Sequence, residues 1–98
     1  MAERAVGTVQ IDNGRVRVTE WRFAPGTGTG HHRHELDYVV VPLTTGRLSV
    51  VTESGETAAE LVTGHPYFRM AGVEHDVRNP NSFEFAFIEI EIKPGTAS

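Results

Sequence analysis

Apolar and polar side chains alternate with a period of two in several stretches of this chain, and glycine or proline interrupts the pattern at short intervals. That combination leaves little room for helix. No window carries apolar residues at i, i+3, i+4 and i+7 for more than a turn, and ten glycines and five prolines punctuate the chain throughout. Strand signals recur instead. Val16 and Val18 alternate with Arg17 and Thr19 ahead of Trp21 and Phe23, and Asn13-Gly14 just upstream is a strong hairpin signal. Tyr38-Val39-Val40-Val41 is a β-branched run, followed across Thr44-Thr45-Gly46 by Leu48-Ser49-Val50-Val51. Glu53-Ser54-Gly55-Glu56 reads as a tight turn into a short strand around Ala58 to Val62, and Tyr67-Phe68 and Val73 to Val77 open two more segments. About eight short strands between turns predict an all-β sandwich or barrel with no substantial helix.

The final strand carries a pattern of its own. Phe83, Phe85 and Phe87 share one parity, after which the apolar parity passes to Ile88, Ile90 and Ile92, leaving Glu89, Glu91 and Lys93 to face outward. A change of phase predicts a β-bulge or a strand that passes between two packing environments. Apolar residues on both parities also exceed what one small barrel interior absorbs. With Val6, Val9 and Ile11 offering an apolar edge at the other end, a homodimer is expected.

Length and composition set outer bounds. Ninety-eight residues make a single domain, 1–98, with its core at about 6–93 and a tail from Pro94 to Ser98 expected to fray. A formal charge of −4 with scattered basic residues argues against nucleic acid and anionic membrane surfaces as partners. Without cysteine, neither a disulfide nor a thiolate metal site can form. Met1 to Gly14 has no apolar core of signal-peptide length and no segment approaches a membrane span, so the expected location is the cytoplasm.

Histidine is the unusual component: three of the five fall within residues 31–34. In a strand, positions i and i+2 share a face, so His32 and His34 can converge on one ion while Arg33 points away. Neutral imidazole suits Zn, Fe, Cu and Ni, with further ligands drawn from elsewhere in the chain. The residues alone leave a second reading open, in which His31, His32 and His34 form a solvated or hydrogen-bonded patch. Trp21, Tyr38, Tyr67, Phe68 and the late phenylalanines are candidates either for pocket walls or for plain core. Arg69 and Arg78 read as anion anchors or as surface charges, and His65 has no partner that the sequence names. Gly72 reads as structural, at a tight bend before His75.

The spacing of these residues resembles the cupin superfamily. Gly26, five residues, His32-x-His34 and the later Gly46 are similar to its first motif. Gly64, five residues, Met70-Ala71-Gly72, two residues, His75, three residues and Asn79 are similar to its second, with Met70 in place of a proline. The likeness covers about residues 16–92. It implies a small single-domain bacterial cupin, an RmlC-like jelly roll, with His75 as third ligand beside His32 and His34 to one divalent ion (Fe, Zn, Mn or Ni). The family's glutamate is missing. An ungapped alignment puts Val39 there, with Tyr38 one before, and sliding the alignment makes Asp37 the fourth ligand, with Glu35 as the alternative. Without a carboxylate the site is three histidines plus water or substrate.

The resemblance implies a metal-dependent enzyme of oxygenase, isomerase or decarboxylase type acting on a small organic molecule. A metal can polarise a carbonyl, activate water or, as iron, bind dioxygen. The stretch His32 to Leu43 also resembles short bacterial cupins associated with β-alanine degradation. A non-catalytic binding or sensing module with a bound metal is the alternative, since one barrel hosts many chemistries. No nucleophile–base pair is visible, which favours metal chemistry; the catalytic residues are not legible.

Overall fold

The structure, a computed structural model, describes residues 4–95, so the last part of the expected tail, 96–98, lies outside the described residues. Among these residues nine strands form: β1 (Val6–Asp12), β2 (Val16–Phe23), β3 (His32–Arg33), β4 (Asp37–Pro42), β5 (Gly46–Thr52), β6 (Gly55–Leu61), β7 (Tyr67–Arg69), β8 (Glu74–Arg78) and β9 (Phe85–Ile92). Among the described residues there is no helix, and so none long and apolar enough to cross a membrane. The strands make two antiparallel sheets, one in the order β1-β2-β9-β4-β7 and one in the order β3-β8-β5-β6.

The turns form as their residues require. Asn13 closes the first hairpin with its side chain, Oδ1 accepting from the amides of Arg15 and Val16 at 2.8 and 2.9 Å. Glu53-Ser54 close the β5–β6 hairpin ahead of Gly55, whose φ of 127° a residue with a side chain rarely adopts. Asn79, buried beyond β8, donates to the carbonyls of Phe23 and Phe83 at 2.9 and 2.8 Å and accepts from Asn81 N at 2.8 Å. This one amide ties the β8–β9 connection to the end of β2.

Phe23, Phe85, Phe87, Leu48, Val40 and Val77 pack between the sheets as the core. The two parities of β9 correct the reading of its sequence. Phe85, Phe87 and Glu89 are all buried, Glu91 lines the same interior, and pairing with β2 runs unbroken from Phe23↔Phe85 to Val16↔Ile92. There is no bulge and no change of phase. The inner face passes from packed aromatics to acids because the space it faces changes from core to cavity. Ile88, Ile90 and Ile92 therefore lie on the outer face, where pairing sets Ile90 between Val18 and Val39. The irregularity sits in β1, where register shifts between Val9 and Ile11; Val9 lines the cavity while Ile11 pairs with Val18 on the outer side.

Candidate metal centre

The site begins with two bends. After Gly30, whose φ is 80°, the chain enters β3, and after Gly72, whose φ is 100°, it enters β8. Antiparallel pairing then sets His32 directly opposite His75. His34 lies one step past the end of β3, and its backbone holds the second bend: Gly72 N donates to His34 O at 2.8 Å, and His34 N donates to Val73 O at 2.9 Å. Three histidines from two distant segments thus share one face at one end of the smaller sheet.

Their nitrogens converge. His34 Nε2 lies 3.0 Å from His32 Nε2 and 3.0 Å from His75 Nε2, and all three candidate ligand atoms fall within 4.8 Å of one another. Nitrogens bonded at about 2.0–2.2 Å to one ion lie roughly 3.0–3.5 Å apart, so the spacing fits a shared metal. The tautomers point the same way. His32 Nδ1 sits 2.9 Å from Gly30 O, which can only accept, so Nδ1 carries the proton and Nε2 is left with its lone pair. Burial lowers His34 to about 4, helped by the neighbouring His32, and lowers His75 to about 4 with His32 and His34 beside it. Neutral imidazole is the form that ligates.

Around this cluster lies a cavity of about 1120 Å³ between the two sheets. Tyr38 stacks on His34 with ring centroids 3.9 Å apart and planes 19° off parallel. Trp21, Tyr67 and Phe87 also line the space. Arg69 holds its guanidinium 4.6 Å from the Tyr67 ring centre, whereas Arg78 pairs with Asp76 at 3.0 Å. Phe68 is exposed. His31 and His65 stay outside the cluster, both exposed, with His31 3.4 Å from Glu74.

The carboxylate expected at Asp37 is not in this group. Tyr38, Val40 and Pro42 are the inward parity of β4, so Asp37 falls on the other, and its Oδ1 accepts from Ala71 N at 2.8 Å. Glu35 lines the cavity without joining the histidines. Tyr38 itself occupies the inward position after the histidine pair. The acid that does approach is Glu89, read from sequence as outward. It is 9% exposed, accepts from Trp21 Nε1 at 3.3 Å, and sets Oε2 3.8 Å from His34 Nδ1. Burial, with Glu91 beside it, raises its carboxyl to about 7. Following the parity of the phenylalanines through to Glu89, rather than the apolar residues across to Ile88, would have found it.

Two antiparallel sheets enclosing a cavity with a histidine cluster define a double-stranded β-helix with a possible three-histidine metal site. A crystal structure of a cupin domain from Bordetella pertussis Tohama I is similar at a TM-score of 0.94 and 56% identity, covering 96% of this chain and 98% of that one. An RmlC-like cupin family protein from Methanocaldococcus jannaschii shares the fold at a TM-score of 0.76 and 13% identity, over 94% of this chain and 83% of that one. No protein-family model matches the chain. The chain belongs to the cupin superfamily. Its sequence is 60% identical over 90 residues, 92% of this chain and 95% of the relative, to the Beta-alanine degradation protein BauB of Pseudomonas aeruginosa.

Proposed function

We propose that the protein binds one divalent metal ion, of Fe, Zn, Mn or Ni, on His32, His34 and His75 and is a metal-dependent enzyme acting on a small organic molecule held in the cavity. The observation that carries this reading is the convergence of three imidazole nitrogens on one point inside a cavity of ligand size. When bound, the metal supplies a Lewis acid for a carbonyl or carboxylate oxygen. Three neutral imidazoles would leave the ion's double charge uncompensated, which would favour an oxygen donor carrying negative charge. The aromatic walls, Trp21, Tyr38 and Tyr67, orient the rest of the molecule and limit water. The name of the 60% identical relative, a β-alanine degradation protein, supports a small aliphatic acid or amino acid as the class of molecule.

Elemental analysis of the purified chain tests the reading, with about one equivalent of metal expected. The double variant His32→Ala, His34→Ala is expected to lose it while keeping a β-rich circular dichroism spectrum. A folded wild-type chain that retains none of these ions, even after incubation with them, overturns the proposal.

The working unit in this reading is a homodimer. Pairing aligns Ile11, Val18, Ile90, Val39 and Phe68 in one apolar row across the outer face of all five strands of the larger sheet. Ile11 is 49% and Phe68 51% exposed in the single chain. A second copy across a two-fold axis is the commonest cover for such a face.

A further inference from the structure

We propose that Glu89 is a positioning residue of the metal centre, accepting the Nδ1 hydrogen of His34 and so fixing the tautomer that presents Nε2 to the ion. The inference rests on the metal reading above. His34 is the hinge of the cluster, the one histidine whose Nε2 lies 3.0 Å from both of the others. Its ring plane is set by the stack on Tyr38, and its backbone is tied on both sides to the Gly72 bend. What remains free is which nitrogen carries the proton. For His32 the Gly30 carbonyl decides. For His34 no carbonyl among the described residues does so, and the group facing Nδ1 is Glu89 Oε2 at 3.8 Å, within about 1 Å of hydrogen-bond reach.

Among the described residues Glu89 has no other partner of comparable weight. Its Oε1 accepts from the Trp21 indole, a neutral donor, at 3.3 Å. The nearby cation Arg17 is already held by Glu91 through two contacts, at 2.7 and 3.2 Å. A carboxylate 9% exposed, with one neutral partner, destabilises the metal-free chain. With a divalent ion behind His34 that balance would reverse, because the His34 Nδ1–H would become a stronger donor to the Glu89 carboxylate. Metal-bound histidines commonly donate their second nitrogen to such a carboxylate, and loss of the partner typically weakens metal affinity about 10–100-fold.

This assigns opposite signs to two measurements on one variant. Glu89→Gln is expected to weaken Co(II) or Zn(II) affinity by about tenfold or more while raising the melting temperature of the metal-free chain. Glu89→Asp, which keeps the charge, is expected to retain more of the affinity than Glu89→Gln. Nitrogen-15 spectra of the metal-free wild type should show His34 as the Nδ1–H tautomer, and that preference should weaken in Glu89→Gln. Unchanged affinity in Glu89→Gln overturns the proposal, as does a parallel loss of affinity and metal-free stability, which would make Glu89 merely structural. The nitrogen-15 spectra need no metal: a His34 tautomer indifferent to the variant overturns the proposal by itself. A wild-type chain that binds no metal instead overturns the metal reading, so the two failures are distinguishable.

Discussion

Within the cavity, His34, His75 and Glu89 are each kept from charging by their surroundings, and their protons leave a signature in stability. Burial lowers His34 and His75 to about 4 from an ordinary 6.5. Between those values the unfolded chain binds more protons than the folded one, so these two groups make stability rise with pH from 4 to 6.5. Glu89 works in the other direction. Its carboxyl is raised to about 7 from 4.5, the folded chain holds the extra proton, and stability falls as pH climbs across that window. Two histidines outweigh one acid below 6.5, so the metal-free chain is expected to be most stable near neutrality. In Glu89→Gln the falling contribution is gone. Its stability relative to wild type should grow between pH 4.5 and 7, by roughly 3 kcal/mol in all. Urea unfolding at a series of pH values measures this, and a gap constant with pH would refute it. Tyr38 argues a separate point. It is 3% exposed and stacked on His34, so Tyr38→Ala should cost about 3 kcal/mol by the same titration, with Tyr38→Phe close to wild type.

Strands and bends position these residues, and the bend before β8 is the element most open to test. Gly72 has a φ of 100°, yet a Cβ built there would come no nearer than 4.0 Å to Arg33. The cost of Gly72→Ala is therefore conformational rather than steric, about 1–2 kcal/mol. The same bend holds the His34 backbone through both its N–H and its carbonyl. Gly72→Ala is accordingly expected to lower metal affinity as well as stability, measured by competitive chelator titration and thermal unfolding. Gly64, also at positive φ but in the β6–β7 turn away from the histidines, serves as control: Gly64→Ala should lower stability and leave affinity unchanged. Equal affinity losses in both would mean that the bend has no special hold on the site.

At the scale of the whole molecule, the chain extends 47 × 27 × 26 Å with one broad sheet face apolar on its outside. Light scattering at micromolar concentration should report about twice the 10.8 kDa chain mass. Ile90 stands at the middle of the outer row, between Val18 and Val39, so Ile90→Asp should shift the mass toward monomer without disturbing the inner face. Glu20, on the outer face opposite Ile88, is joined to Arg22 at 2.9 Å and marks where the apolar surface gives way to charge. A native monomer would sink the homodimer and leave the row as bare surface.

The sequence alone determined the class of fold and pointed to the three histidines that the structure brings together. Alternation, turn residues and the absence of helical periodicity are local properties, and they led to an all-β fold of about eight short strands, where the described residues form nine in two antiparallel sheets. The parity of His32 and His34 and the motif spacing to His75 likewise needed no coordinates. What the tertiary structure decided was which face of each strand is the inside. Alternation separates a strand into two faces but does not orient them, and the usual guide, that the apolar face turns inward, fails beside a polar cavity. That failure is why Glu89 and Glu91 read as solvent-facing, and why the change of parity to the isoleucines read as a bulge or a change of packing environment. Asp37 failed for a related reason: motif distance along the chain placed a carboxylate near the histidines, but the period of two in β4 gave the inward position to Tyr38. The approach of Glu89 to His34 joins residues 55 positions apart through the packing of two sheets, and only that packing brings the acid to the imidazole.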